Sequence, residues 1–334
     1  MSRLTKQRIE RALAKQERSV RVAFLKAIAD KGSSLNLRAL ARAIERGDLN
    51  QALNIAGLTR VDMFPLDQSL IGSYVAGAAT VAEAAPAFAA SFGFDGRATR
   101  AEAFARDHVG GLVTRIVDDQ RTMLQTVISE RIGLGNDPGR IALDIAGRVN
   151  RATGVREGGF IGLDSNRARF LGNARDQLES LDAGYFTRKL RNKRFDGLVR
   201  RAIADGKPLS QVDINRITQA YANNLLLDRG KTIARTESIT ALRAGRHEGV
   251  IQAIEQGAIK EDSLERVWST TGDSRVRDDH ADVDGMRVKG KDTPFVLPDG
   301  SRLMFPGDSS LGAAASQTIQ CRCFEEFSVD WLRG

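Results

Sequence analysis

A chain of 334 residues has room for about two domains and a substantial core, which excludes a small disulfide-stapled scaffold. Hydrophobic residues at 42% and charged residues at 28% exclude wholesale disorder. Aromatics at 6%, 32 Gly and only 7 Pro favour helices packed through small residues over a large β-sandwich core.

The net charge of +8 is unevenly spread. Residues 1–60 hold 13 basic and 5 acidic side chains, residues 61–260 hold 28 and 23, and residues 261–334 hold 9 and 14. A basic body suited to polyanions or acidic partners therefore precedes an acidic tail. The expected organisation is a basic N-terminal helical arm over 1–60, a helical body over 61–260 and a C-terminal α+β module over 261–334. The charged start, Met1-Ser-Arg-Leu-Thr-Lys-Gln-Arg, has no apolar stretch with a cleavage site, so no secretory signal is expected and the protein should be made in the cytoplasm.

In chain order, Ile9, Leu13, Val20, Phe24 and Ile28 recur at helical spacing and predict one long amphipathic helix from Ser2 to about Asp30. A second helix is predicted from Asn36 to Arg46, and Asp48 can cap a third that runs to Gly57. Residues 68–94 carry the single charge Glu83 but fall short of the apolar length a membrane span needs. They read as a buried, close-packed helix pair. The helical pattern resumes after Arg97 as far as the turn at 133–139, and Asp137-Pro138 starts a short helix to about Asn150. The glycines at 158, 159 and 162 have no preceding strand and no following Gly-Lys-Ser/Thr, so they read as a connection and not as a phosphate loop. Asp164 starts another helix to about Leu181.

The stretch from Tyr185 to Arg201 holds seven basic residues against Asp196, interleaved with Tyr185, Phe186 and Phe195. Arg188, Lys189, Arg191, Lys193 and Arg194 are the candidate contacts to nucleic acid or to an acidic partner, since each neutralised phosphate releases counterions. The competing reading is a solvated helix with Leu190 and Leu198 facing the core. Helices are then predicted from Ser210 to Leu227 and from Asp228 to Ala253. In the latter, Arg235 and Glu237 lie two apart, on different faces, and so hold separate neighbours. His108 and His247 sit in helical stretches without partner ligands and read as surface or capping residues. From Ser263 short β-prone pieces alternate with Gly, Pro and Asp turns. The fold class expected is mainly α, a helical body with a small C-terminal α+β module.

That module carries a series of small motifs: Arg235-Thr-Glu237, Trp268, Asp273 followed by Arg277-Asp-Asp-His280, Asp284-Gly285, Pro306-Gly307-Asp308 and Cys321-Arg-Cys323. In this order, over about the last third of the chain, it resembles the phage Mu F-like minor head protein family, also called the phage head morphogenesis family. The resemblance implies a minor head or internal virion protein of a tailed phage, located in the head interior or portal region and present in several copies. It implies association with the portal protein and with capsid or scaffolding protein, and packaging and ejection with the DNA, while the charge asymmetry is what makes double-stranded DNA a candidate partner. It further implies that Arg235, Glu237, Trp268, Asp273, Arg277, His280, Gly285, Pro306, Cys321 and Cys323 hold the module together and that the chain is not an enzyme. Some relatives carry a following toxin domain, and with eleven residues after Cys323 none is expected here.

Cys321 and Cys323, two apart, are too close for an easy mutual disulfide and share one face of an extended chain. With His280 they make three-quarters of a tetrahedral zinc shell, for which Asp273, Asp278, Asp279 or Asp284 could supply the fourth ligand. The residues alone favour core packing with hydrogen bonds, His280 lying in an Asp and Arg network, so no cofactor is required and a structural zinc is the alternative. Arg275 and Arg277 beside Asp278, Asp279, Asp282 and Asp284 read as an ion-pair network on a turn. Two rivals to a structural role remain: a metal-dependent hydrolase or nuclease centred on His280, Cys321 and Cys323, and a membrane-active ejection protein using residues 68–94.

Overall fold

A computed structural model gives the fold and describes residues 3–82 and 92–330. The protein is mainly α, with small antiparallel sheets concentrated toward the C-terminal end. Its contacts gather into two compact units: residues 1–22, 66–110 and 231–334 form one, residues 23–65 and 111–230 the other. The charge-based segments are consecutive, whereas these units are not, because helices α1 (Arg3–Ser34) and α10 (Gln211–Glu255) each contribute to both.

In the unit of residues 23–65 and 111–230, side-chain caps fix where helices begin, as the sequence predicts. Asn36 accepts a hydrogen bond from Ala39 N at 3.0 Å and starts α2 (Leu37–Glu45), and Asp48 accepts from Gln51 N at 3.0 Å and starts α3 (Leu49–Ala56). Asp137 with Pro138 starts α7 (Pro138–Ala146), and Asp164 accepts from Arg167 N at 2.7 Å to start α8 (Ser165–Glu179). The stretch between α7 and α8 is more than a connection: β1 (Arg148–Val149) pairs antiparallel with β2 (Arg156–Glu157). Beyond it Phe160, Ile161 and Leu163 are buried, so the backbone there needs internal partners. Gln120 Oε1 accepts from Gly162 N at 3.0 Å, and Arg229 Nη1 donates to Gly162 O at 2.8 Å. Asp119 and Asp164, at 3.6 and 3.7 Å, balance the buried Arg229 charge.

Two helical stretches differ from the predicted segmentation. α10 is one helix of 45 residues, with no break at Asp228. Gly230 marks a close approach instead, since a Cβ there would lie 3.2 Å from the Leu25 side chain and 3.3 Å from that of Phe24. The helical stretch after Arg97 comprises α5 (Thr99–Ala103), a π-helical segment (Phe104–Val109) and α6 (Gly110–Gly133). Apolar periodicity does not report such a local widening.

In the unit of residues 1–22, 66–110 and 231–334, α4 (Phe64–Ala82) packs on the C-terminal half of α10 at backbone distance. A Cβ on Gly77 would sit 1.9 Å from Leu242 O, and one on Gly245 would sit 1.8 Å from Tyr74 O. Of residues 68–94, expected to form a close-packed helix pair, 68–82 belong to the single helix α4 and pack on α10, while residues 83–91 lie outside the described residues. No helix among the described residues is long and apolar enough to cross a membrane. The same unit carries the three-stranded antiparallel sheet β4-β3-β7, with β3 (Leu264–Ser269) between β4 (Arg287–Lys289) and β7 (Phe324–Val329). The two-stranded ribbon β5 (Phe295–Val296) and β6 (Arg302–Leu303) completes the β structure. Trp268, Val283, Phe295, Leu297, Leu303, Cys321 and Cys323 form the core there.

Gly245→Ala forces the two helices apart. The expected cost is about 1–3 kcal/mol from overpacking, read as a lower denaturation midpoint of the full chain.

Candidate functional site

Strand β3 alternates, with Leu264, Arg266 and Trp268 buried and their neighbours half-exposed. Trp268 is edge-on to both His280 (5.3 Å) and Phe295 (5.4 Å). Its backbone N–H donates to Met286 O at 2.9 Å and its carbonyl accepts from Gly285 N at 2.8 Å. Gly285 takes φ 78° to close this turn, a conformation that favours glycine. Asp284 Oδ1 accepts from Thr270 N at 2.8 Å and braces the same corner.

Arg266, which motif reading passes over, is fully buried. Its guanidinium donates to Gly290 O (2.7 Å), Met304 O (2.7 Å), Thr293 O and Glu325 Oε1 (3.0 Å), and it lies over the Phe295 ring at 5.4 Å. Glu325, on β7, is also buried and has His247 Nδ1 at 3.4 Å from its other oxygen. His247 is therefore a buried partner and not a surface residue. His108 likewise is no simple surface residue, with Nε2 3.0 Å from Glu237 Oε2 and its ring stacked on Phe104. The signal for Arg266 was present in the alternation, since an arginine on a buried strand face must find acceptors.

Arg235 and Glu237 have separate surroundings, as expected. Glu237 meets His108, while Arg235 lines a 210 Å³ pocket with Arg243, Thr271 and Arg322. Arg243, also from α10, donates to Pro306 O at 3.1 Å and Cys321 O at 3.3 Å, so Pro306 acts through its carbonyl. In the same turn Asp308 accepts from Met304 N (2.9 Å) and Ser310 N (2.8 Å).

The ion pairs on the turn differ from the expected network. Asp273 is the shared anion, bonded to both nitrogens of Arg322 and, at 3.2 Å, to Arg275. These bonds hold its carboxyl well below the usual range, the Arg322 guanidinium being the main cause. Arg277 donates to Ile319 O, and Asp279 accepts from Gln317.

His280, on the short helix α11 (Asp278–Ala281), is buried, as are both cysteines, which immediately precede β7. His280 Nδ1 lies 3.4 Å from Cys323 Sγ and 3.7 Å from Cys321 Sγ. The three potential ligand atoms fall within 4.8 Å of one another, and among the described residues no aspartate or glutamate joins them. Asp273, Asp278, Asp279 and Asp284 therefore do not supply a fourth ligand. Nor does His280 enter an Asp and Arg network, because its Nε2 faces Gln317 Oε1 at 3.0 Å. In the thiol pair the hydrogen bond with Cys323, aided by Arg243, holds Cys321 well below the usual thiol range, while the bond to Cys321 and then burial push Cys323 up.

The basic stretch 185–201 is not a single helix. It runs through 3-10 turns at Ala183–Thr187 and Lys193–Phe195 into α9 (Asp196–Asp205). Tyr185, Phe195 and Val199 face inward, while Leu198 is exposed, which corrects the expected core face. Arg188 donates to Gln177 Oε1 (2.8 Å) and Phe170 O (3.0 Å), and Arg191 pairs with Asp196 (3.0 Å). Arg191 and Arg200 both lie over Phe186, so this interleaved aromatic is satisfied from within. Lys189, Lys193 and Arg194 are exposed, together with Arg200 and Arg201.

Residues 193–325 match the family model described as Phage Mu protein F like protein. The match spans every motif from Arg235 to Cys323, so this region of the chain is similar to that family. No curated protein and no solved structure matches the chain.

Arg266→Met strands the buried Glu325 carboxylate and three backbone carbonyls, and a loss of about 3–5 kcal/mol is expected in chemical denaturation. Replacing both partners, Arg266→Met with Glu325→Leu, is expected to cost less. Because the folded Asp273 pKa is depressed, its contribution is present above the unfolded value of about 3.9 and is lost as pH falls through the folded value. Asp273→Asn should accordingly flatten the acid limb of the stability profile relative to wild type.

Proposed function

We propose, from the phage Mu F-like region that the chain carries, that it is a minor head protein of a tailed phage. In this reading it joins portal, capsid or scaffolding protein during procapsid assembly, enters the particle in several copies and leaves with the DNA. Its role is structural. What supports this is the burial of the motif residues: Trp268, His280, Cys321 and Cys323 fill a core instead of lining an open cleft, as a docking module requires and a hydrolase does not.

The DNA or acidic partner meets the exposed lysines and arginines. On the 185–201 stretch these are Lys189, Lys193, Arg194, Arg200 and Arg201, and on α1 they include Arg11, Lys15, Arg18 and Arg21. Arg188 and Arg191 serve this surface indirectly, by shaping the segment that presents the lysines.

Immunodetection in purified procapsids and virions of the encoding phage tests the assignment. The chain is expected in both, and its confinement to the particle-free lysate would overturn it. For the DNA surface, affinity for duplex DNA should fall steeply with salt. Lys189→Ala, Lys193→Ala and Arg194→Ala together should reduce the slope of log affinity against log salt by about 0.9 for each phosphate no longer neutralised.

A further inference from the structure

We propose that His280, Cys321 and Cys323 bind one Zn²⁺ ion through Nδ1 and the two Sγ atoms. The distances carry the geometry. In a tetrahedral site with Zn–S of about 2.3 Å and Zn–N of about 2.0 Å, a sulfur and a nitrogen ligand stand about 3.5 Å apart. Nδ1 is 3.4 Å from one sulfur and 3.7 Å from the other.

The orientation of the imidazole is set from outside the trio. Gln317, on α12 (Ala315–Thr318), donates through Nε2 to Asp279 Oδ2 at 2.7 Å and to Asp299 Oδ2 at 2.8 Å. Carboxylates only accept, so the amide nitrogen must face them, which turns Gln317 Oε1 toward His280 Nε2 at 3.0 Å. That oxygen also only accepts, so the ring proton sits on Nε2 and the Nδ1 lone pair points at the sulfurs. A ligand histidine held through its second nitrogen by a hydrogen-bonded acceptor is the usual supporting arrangement of a metal site. The charges close as well: two thiolates neutralise Zn²⁺, which suits a core of Trp268, Phe295, Leu297 and Leu303.

The test uses the full-length, reduced chain, purified without chelator. Elemental mass spectrometry is expected to find about one zinc per chain, since one ion satisfies all three ligands. Exchange for Co²⁺ is expected to give a thiolate-to-cobalt charge-transfer band and visible bands of tetrahedral intensity. Cys323→Ser should abolish the charge-transfer band or reduce it by half, and because that variant could fail to fold, Gln317→Ala is the companion. Gln317→Ala keeps all three ligands and is expected to weaken zinc binding about 10- to 100-fold against a competing chelating dye. Absence of zinc together with a Co²⁺-treated chain lacking the thiolate band would overturn the proposal, as would a Cys321–Cys323 disulfide in the freshly purified protein.

Discussion

The C-terminal module is organised around one buried charge. Arg266 sits on the inner face of the central strand, where the pleat would otherwise put an aliphatic residue, and its guanidinium satisfies backbone carbonyls at 290, 293 and 304 as well as Glu325. A module with strands of two to six residues has few ladder hydrogen bonds with which to fix its loops. A planar, always-charged donor with five N–H groups does that work from the centre. Glu325 extends the arrangement to His247, and Arg243 makes a parallel connection from the same helix to Pro306 and Cys321. The motifs read along the sequence are thus the ends of a few hydrogen-bond chains converging on β3.

Close packing of backbones plays the corresponding part for the helices of the same unit. Gly77 and Gly245 let α4 and α10 approach until a methyl group no longer fits, which puts His247, Arg243 and Glu237 on a rigid support. The composition, rich in glycine and poor in aromatics, is the global trace of this local requirement. In the other unit a buried Arg229, balanced by Asp119 and Asp164, holds a loop whose backbone Gln120 also caps. Both units therefore use a buried arginine to satisfy backbone where regular structure is interrupted.

The helices and their starts were legible because their causes are local: Asn36, Asp48, Asp137 and Asp164 each cap the helix they precede. The long α10 was divided at Asp228, where the helix continues unbroken, and Gly230 just beyond it admits Leu25 and Phe24. At the candidate site, the shared face of Cys321 and Cys323 followed from a period of two, and His280, which the sequence also singles out, lies beside them. Gln317 was not, since a glutamine in a Ser-Gln-Thr stretch carries no signal until the fold brings Asp279 and Asp299 to it. The basic stretch shows the reverse failure. Its composition reads as free charge, yet Arg188 and Arg191 are engaged by neighbours 5 to 18 residues away.

The central claim is that one buried charge network makes the strands around β3 a single cooperative structure on which the motif residues depend. Native-state hydrogen exchange of the full chain tests it, comparing wild type with Arg266→Met. The account predicts that amides of 264–269, 287–289 and 324–329 share one slow opening in wild type and lose protection together in the variant. Persistence of protection in β3 and β7 without Arg266 would contradict it.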